Sequence, residues 1–192
     1  MKKEQETENN KTEEEKKGDM RKEVVSWIRM FVIVIAVVFV LTQFVIINVR
    51  VPSGSMENTI MTKDRLIGFR FSYWFDEPQR GDIILFSYPV DEKQTYIKRV
   101  IGLPGETIQI IDGMIYINGS VYLETQGFPQ MENAGMAAQE ITLGEDEYFV
   151  LGDNRNQSED SRFADMGNVK LEDIEGKVWA VLSPSDHRGL VK

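Results

Sequence analysis

The chain of 192 residues contains no cysteine and a single histidine, His187. Without cysteine there is no disulfide and no thiolate nucleophile, and one histidine alone does not make a zinc cluster. His187 lies near the end of the chain, where we expect it to be solvated. No metal or other cofactor is therefore predicted, and a serine nucleophile would need a base other than histidine.

A basic surface for nucleic acid is also lacking. The chain has 31 acidic and 22 basic side chains, a formal net charge of -9. Residues 1–29 contain as many acidic as basic side chains, so the rest of the chain carries the whole excess of acid. Because an acidic domain repels phosphate backbones, nucleic acid is not expected as a partner.

One long apolar run is present. Residues 30–47 contain no charge and only Thr42 and Gln43 as polar side chains, and about 18 helical residues nearly span a bilayer core of about 30 Å. A cleavable export signal is the alternative, but it would have a shorter apolar region followed by a small-residue cleavage site. We therefore predict a disordered cytoplasmic tail over 1–22, an uncleaved transmembrane anchor helix over 23–48 and an extracytoplasmic domain over 49–192.

Basic residues near the apolar run predict its orientation. Six of them lie within about 20 residues before the run, and three lie within about 20 residues after it. Their excess on the N-terminal side predicts a single-pass protein of the cell membrane with a cytoplasmic N-terminus. The lipid bilayer is then a partner of this chain.

The remainder favours a mainly β, antiparallel domain. Short runs rich in Ile, Val, Phe and Tyr alternate with Gly, Pro, Asn and Asp, and the pairs Asp112-Gly113 and Asn118-Gly119 are strong hairpin signals. Asn168 is suited to cap a short helix over 169–175, and 124–139 is typical of a long exposed loop. Strands are predicted over 65–71, 82–88, 95–101, 107–111, 114–117, 121–123, 147–151 and 177–182.

Serine and lysine are the remaining candidates for nucleophilic chemistry. A lysine amine can accept the proton of a serine hydroxyl where histidine is missing. Lys98 and Arg99 point to opposite faces of one predicted strand, and only the lysine can act as a base, because arginine does not release its proton. Its pKa, near 10.4 in water, must be lowered by burial. Chemistry alone does not separate Ser53 from Ser55 as the nucleophile.

Three segments together resemble one family. They read Val-Pro-Ser-Gly-Ser-Met-Glu-Asn-Thr-Ile (51–60), Tyr-Ile-Lys-Arg-Val-Ile-Gly-Leu-Pro-Gly-Glu (96–106) and Gly-Asp-Asn-Arg-Asn-Gln-Ser-Glu-Asp-Ser-Arg (152–162). In this order they resemble the bacterial type I signal peptidases, membrane-bound serine-lysine proteases that remove signal peptides from exported proteins. The short stretch between Glu106 and Gly152 resembles the compact form typical of Gram-positive bacteria.

The resemblance implies roles for particular residues. Ser55 would attack the substrate through an acyl-enzyme and Lys98 would act as its base. The Ser53 hydroxyl and the backbone N–H of Ser55 would form the oxyanion hole. In the third segment, Ser158 would bond the Lys98 amine, the ion pair Asp160–Arg162 would shape the loop, and Asp153 and Arg155 would be further structural polar groups.

The resemblance also implies a substrate. Signal peptidases cut after small residues in sites of Ala-x-Ala type, which requires shallow apolar pockets and a substrate held extended against a strand edge. The expected partners are signal peptides of secreted preproteins and the protein-export machinery. Trp74 and Phe75 are candidates for dipping into the bilayer surface. Candidates for lining the pockets are Met56, Ile84, Leu85 and Ile97.

One visible departure from the family pattern and one alternative function remain. Asn58 stands where the family usually has proline, and Ile60 where leucine is common, so we expect rigidity to fall more than activity. A catalytically inactive anchored β domain that serves as a binding or scaffold subunit is the alternative function. A self-cleaving repressor of related fold is disfavoured by the anchor.

Overall fold

The computed structural model describes the backbone of residues 2–191 and the side chains of residues 20–191. The chain divides into two compact units, Met1–Phe44 and Val45–Lys192. The first unit is a single helix, α1 (Lys2–Val40), which continues as a π-helical turn over Leu41–Val45.

Part of this helix is long and apolar enough to cross a membrane. The segment Met20–Val45 has 26 residues, and an 18-residue stretch within it has a mean hydropathy of 2.8. The hydroxyl of Thr42 donates to the carbonyl oxygens of Val38 and Phe39, at 2.9 and 3.1 Å. These bonds satisfy a polar group of the apolar run within the helix itself, as a lipid environment requires.

The boundaries of the first segments differ from those predicted. The helical conformation ends at Val45 and a strand begins at Ile46, so the predicted anchor extends three residues too far. Disorder is predicted over 1–22, whereas the described backbone is helical from Lys2 onward; residue 1 and the side chains before Met20 lie outside the described residues.

The described part of the second unit contains twelve β-strands. The first six are β1 (Ile46–Arg50), β2 (Arg65–Phe69), β3 (Ile83–Tyr88), β4 (Asp91–Gly102), β5 (Thr107–Ile111) and β6 (Met114–Ile117). The other six are β7 (Ser120–Val121), β8 (Ile141–Thr142), β9 (Glu147–Leu151), β10 (Val169–Lys170), β11 (Ile174–Ser183) and β12 (Gly189–Leu190).

The strands form two sheets in which the neighbours are antiparallel. The larger sheet has the order β1-β2-β11-β3-β4-β9-β10, with β12 beside β11, and the smaller has the order β7-β6-β5-β8. The prediction of a mainly antiparallel β domain preceded by one apolar helix is confirmed.

The smaller sheet is built from the predicted hairpins. Asp112 and Gly113 have φ angles of 50° and 74°, and Asn118 and Gly119 have φ angles of 51° and 76°. Positive φ at both central residues is the geometry of the tight hairpin turn that Asp-Gly and Asn-Gly favour. The turns therefore set the pairing of β5 with β6 and of β6 with β7.

Hydrophobic clusters cover both faces of the larger sheet at β3 and β4. Ile83 and Leu85 belong to one hydrophobic cluster, with Met56 and Ile97, whereas the alternate residues of β3, Ile84 and Phe86, belong to a second. Because side chains alternate along a strand, burial of both faces explains the uninterrupted apolar run in β3.

Two local predictions are wrong. The segment 169–175 is not one helix, because β10 and β11 flank a 3₁₀ turn of only three residues, Leu171–Asp173. The segment 124–139 is not wholly exposed, since Met131 and Ala137 are buried beneath the smaller sheet. Their burial needs partners from distant strands, which local patterns do not reveal.

Candidate active site

Ser55 lies in the turn that follows β1. Hydrogen bonds from the Glu57 N–H to the Gly54 carbonyl (3.1 Å) and from the Ile60 N–H to the Met56 carbonyl (2.8 Å) close this turn. Met56 and Ile60 are buried in the hydrophobic cluster below it. The turn is therefore fixed by its apolar side chains, while Ser55 is left half-buried at the surface.

A second segment holds the same turn from the side. The Asn154 backbone N–H donates to the Ser55 carbonyl at 3.0 Å, and the Asn154 side-chain amide donates to the Gly54 carbonyl at 3.0 Å. These bonds connect the first and third sequence motifs, which are about 100 residues apart. These bonds fix the position of the backbone at Ser55, and with it the position of the Ser55 hydroxyl.

Lys98 lies in β4, in the middle of the larger sheet. Its cross-strand partner in β3 is Ile84, and the next residue of β4 on the same face is Val100. Both are fully buried, and Lys98 itself is only 2% exposed. The nitrogen also lies 5.4 Å from the centre of the Tyr96 ring. The lysine side chain is therefore almost entirely removed from water.

The Lys98 amine reaches the serine of the turn. Its nitrogen Nζ donates a hydrogen bond to Ser55 Oγ at 2.8 Å. If the amine is neutral, the same contact can run in the other direction, with the hydroxyl donating to the nitrogen. A base within hydrogen-bond distance of a hydroxyl is the geometry that nucleophilic catalysis by serine requires.

Burial decides the protonation of this amine. It lowers the pKa of Lys98 from 10.5 to about 8, although the nearby carboxylates of Asp160, Glu159 and Asp153 raise it. The Arg162 guanidinium contributes a smaller lowering of the Lys98 pKa. At a pH near this value, about half of the amines are uncharged and able to accept a proton.

Two buried ion pairs lie near Lys98. Arg99 donates two hydrogen bonds to the carboxylate of Asp153, at 2.8 and 2.7 Å. The expected pair of Asp160 with Arg162 is present, at 2.7 Å, and both of its members are fully buried. Lys98 and Arg99 thus leave β4 in opposite directions, and each ends on a polar partner from another segment.

Ser158 differs from the prediction. Its hydroxyl is buried, yet it makes no hydrogen bond to any described residue, so the expected bond to the Lys98 amine is not seen. It lies against Gly152, where an added Cβ atom would overlap both Ser158 Oγ and the Ser55 carbonyl oxygen. Gly152 therefore has a packing role that the sequence motif does not reveal.

A cleft of about 490 Å³ opens beside the Ser55–Lys98 contact. Met56 and Ile97 line it, as does the exposed Ser53. Ile84 and Leu85 were also predicted to line it, but they are not among its lining residues; their side chains pack inside the hydrophobic clusters. The complete lining is Val51, Pro52, Ser53, Ser55, Met56, Gln94, Thr95, Tyr96, Ile97, Lys98, Gln157 and Glu159.

Several of these residues are absent from the sequence prediction. Tyr96 lies two residues before Lys98 in β4, and strand alternation alone would have placed it on the same face. Glu159 follows Ser158 in the third motif and brings a carboxylate to the wall of the cleft. Its place there depends on the course of the loop, for which the sequence carries no signal.

Trp74 and Phe75 lie in a surface segment after β2. They are 63% and 91% exposed. Exposed aromatic side chains of this size are compatible with a binding surface.

Comparisons with known sequences indicate a single family. The sequence matches the family described as "Signal peptidase, peptidase S26" over residues 24–183. A signal peptidase I of Rickettsia bellii (strain OSU 85-389) is 31% identical over an alignment that covers 79% of this chain and 71% of that protein. A signal peptidase I of Leptolyngbya laminosa is 38% identical, with 72% and 70% covered.

One solved structure is also similar to this chain. The crystal structure of a signal peptidase I from Enterococcus faecalis V583 aligns with a TM-score of 0.43 and 38% sequence identity, and covers 56% of this chain and 98% of that one. The resemblance drawn from the three motifs is confirmed by the family match. With that match over most of its length and relatives more than 30% identical, the chain belongs to the signal peptidase family, peptidase S26, and is a peptide-bond hydrolase.

Proposed function

We propose that this chain is a membrane-anchored endopeptidase that removes N-terminal signal peptides from exported preproteins, with Ser55 as nucleophile and Lys98 as general base. The observation that carries the proposal is the 2.8 Å contact between Lys98 Nζ and Ser55 Oγ, made by an amine with a pKa lowered to about 8. Membership of the signal peptidase family supports the choice of substrate.

In the first half of the reaction, neutral Lys98 accepts the proton of the Ser55 hydroxyl as its oxygen attacks the carbonyl carbon of the scissile bond. Negative charge develops on the carbonyl oxygen, where the Ser55 N–H and the Ser53 hydroxyl donate hydrogen bonds. Such donors are each worth about 3 kcal/mol in comparable enzymes. Lys98 then returns the proton to the departing amine, which leaves the acyl group on Ser55.

In the second half, a water molecule attacks the ester between Ser55 and the acyl group. Lys98 again accepts a proton, now from the water, and passes it to Ser55 Oγ as the ester bond breaks. The signal peptide leaves with a new carboxylate, and the enzyme returns to its starting state. Both halves need the amine uncharged, which is why its removal from water matters.

The substrate is proposed to bind as an added strand beside β4. Strand β9 pairs with β4 only between Arg99 and Gly102, so the preceding residues, 94–98, have an open backbone edge on that side. Gln94 to Lys98 line the cleft next to Ser55. An extended peptide there would form main-chain hydrogen bonds and direct alternate side chains into the wall made by Met56 and Ile97. Small residues of Ala-x-Ala type are proposed to fit against this wall.

The buried pair Asp160–Arg162 is proposed to hold the third motif in place behind Lys98. Arg162 also donates to the backbone carbonyls of Asn133 and Arg155, at 2.9 and 2.6 Å. The Arg162 guanidinium therefore connects its own segment to the backbone at Asn133 and at Arg155. We assign it a structural role rather than a chemical one.

The apolar segment Met20–Val45 is proposed to anchor the enzyme in the cell membrane with the N-terminus cytoplasmic. The excess of basic residues before the segment supports this topology. The bilayer and the export machinery are then partners, because precursors emerge at the outer face. Trp74 and Phe75, both highly exposed, are proposed to contact the membrane surface.

The test is to incubate the full chain in detergent with a precursor that carries an Ala-x-Ala site, and to map the product by mass spectrometry. Ser55→Ala and Lys98→Ala are expected to abolish cleavage, whereas Lys93→Ala, an exposed lysine in the same strand, is expected to retain it. Ser53→Ala is expected to slow cleavage about 100-fold, as for loss of one oxyanion donor. Full activity of folded Ser55→Ala or Lys98→Ala would overturn the mechanism, and precursor binding without cleavage by the wild type would favour a binding subunit.

A further inference from the structure

A second cleft, on the larger sheet, is lined by three cations and no acid. Its volume is about 550 Å³, and its lining residues are Asn48, Arg50, Lys63, Arg65 and Ser183. We name it the basic cleft, and we propose that it binds a phosphate group, with the headgroup of an anionic phospholipid as the source that the structure favours.

Strand register brings two of the cations together. Arg50 in β1 and Arg65 in β2 are direct cross-strand partners, and Arg65 is also the partner of Ser183 in β11. Because side chains alternate, Arg50 lies on the same face as Asn48, whereas Ile47 is buried in the hydrophobic cluster on the other face. Like charges directly opposite each other destabilise an antiparallel pair.

Nothing in the described part of the chain neutralises this pair. No ion pair or side-chain hydrogen bond joins Arg50, Lys63 or Arg65 to another described residue, and no carboxylate is among the residues lining the basic cleft. The buried Arg99 and Arg162, by contrast, each have a carboxylate at 2.7 Å. In a chain of net charge -9, three cations left together without an acid indicate an anion from outside.

The backbone fixes the third cation at the same place. Lys63 has a φ angle of 76°, in the left-handed region that few residues with a side chain adopt. Its N–H donates to the Val51 carbonyl, and the Val51 N–H donates to the Asp64 carbonyl, both at 2.9 Å. These bonds extend the β1–β2 pairing by one step and hold Lys63 beside Arg50 and Arg65. Strained positions of this kind are concentrated at ligand sites.

The short stretch of chain between the apolar segment and the basic cleft favours a lipid as the source of the phosphate. The apolar segment ends at Val45, and Asn48 follows three residues later, at most about 10 Å of extended chain. The headgroup region of a bilayer has a thickness of several ångströms on each side, so the phosphates are within reach of this strand. Arginine forks match phosphate oxygens in two parallel hydrogen bonds, and basic side chains next to a membrane attract anionic lipids.

The experiment uses the full chain in a neutral detergent and counts bound lipids by native mass spectrometry. Phosphatidylglycerol and phosphatidylcholine with identical acyl chains are titrated separately, and inorganic phosphate is titrated in a third series. The test variant is Arg50→Gln/Arg65→Gln. The matched control is Lys93→Gln/Lys170→Gln, which removes the same charge from two exposed positions elsewhere in the larger sheet.

We expect the wild type and the control to bind phosphatidylglycerol in preference to phosphatidylcholine, and the test variant to bind it about tenfold more weakly. Displacement of the lipid by inorganic phosphate would support the basic cleft with free phosphate as a sufficient ligand, and lack of displacement would support a lipid headgroup. Equal binding of the two lipids by the wild type, or an undiminished preference in the test variant, would overturn the proposal.

Folding of the test variant is checked by its unfolding temperature without added lipid. Removal of two opposed cations is expected to leave this temperature unchanged or to raise it. A lower temperature would contradict the uncompensated repulsion, and Lys63→Gln, which leaves the strand pair intact, would then decide whether the lipid preference depends on the basic cleft. No step measures peptide cleavage, so failure here leaves the peptidase proposal untouched.

Discussion

Lys98 Nζ lies 2.8 Å from Ser55 Oγ, although the amine comes from the middle of a sheet and the hydroxyl from a turn 43 residues earlier in the chain. The lysine that makes this contact is only 2% exposed. Burial of a side chain that is charged in water has an energetic cost, and this cost depends on pH. The buried Lys98 is therefore expected to affect the stability of the protein as well as its activity.

Lys98→Met is expected to stabilise the protein near pH 7. The pKa of Lys98 is lowered from 10.5 to about 8, so between these values the unfolded chain binds more protons and wild-type stability rises with pH. Below pH 8 the cost of the buried charge is fully present, about 3 kcal/mol from the shift. Urea unfolding at several pH values, followed by tryptophan fluorescence, should show the advantage of the variant shrinking between pH 8 and 10.5. A constant difference across this range would contradict the account.

Glu159→Gln is expected to shift the pH dependence of cleavage to lower pH. The carboxylate lies in the wall of the cleft and raises the pKa of Lys98, so its removal lowers that pKa and increases the neutral fraction at pH 7. The measurement is the rate of precursor cleavage from pH 6 to 10. Glu172→Gln, an exposed change outside the cleft, is the matched control and should leave the profile where it is. A shift to higher pH in Glu159→Gln would show that the carboxylate does not act on the amine.

Gly152→Ala is expected to reduce the cleavage rate by about 100-fold, as for a catalytic group displaced by about 1 Å. The added methyl group would overlap both Ser158 Oγ and the Ser55 carbonyl oxygen, so the turn that carries the nucleophile must shift. Gly144→Ala serves as the control, because its methyl group would meet only the flexible Glu147 side chain at 3.4 Å. Wild-type activity in Gly152→Ala would mean that the position of the turn is not critical.

Asn58→Pro is expected to destabilise the protein, although proline is usual here in the family that the motifs resemble. Asn58 has a φ angle of 85°, whereas the proline ring holds φ near -65°, so the turn must rearrange at a cost of about 1 to 3 kcal/mol. Asn58→Gly adopts this conformation freely and should change stability by less than about 1 kcal/mol. Thermal unfolding compares the two variants, and equal stability of the proline variant and the wild type would rule out this backbone.

Sequence patterns predict most of the strands. They also identify Ser55 and Lys98, the two residues whose side chains make the contact. Asp112-Gly113 and Asn118-Gly119 were sufficient to identify their hairpins, because the required backbone angles are specific to few residue types. Strand β1 is one of the four strands that the sequence does not predict, since Ile46 and Ile47 continue an apolar run and a hydropathy argument includes them in the helix.

Burial of charged residues was beyond the reach of sequence. Arg99 meets Asp153 from 54 residues away, and Arg155 meets Glu124 from 31 residues away. Nothing local distinguishes such arginines from solvated ones. For the same reason the sequence predicts Ile84 and Leu85 as cleft walls: their apolar character is evident, but which face is covered depends on the neighbouring strands.

The most direct test of the central claim is the pH dependence of single-turnover cleavage by the full-length wild type, with a precursor in excess of its dissociation constant. If neutral Lys98 removes the proton of Ser55, the rate rises tenfold per pH unit at low pH and levels off above a midpoint near 8. A rate that stays constant between pH 6 and 10 would show that the titration of Lys98 does not limit the reaction, and it would contradict the Ser55–Lys98 mechanism.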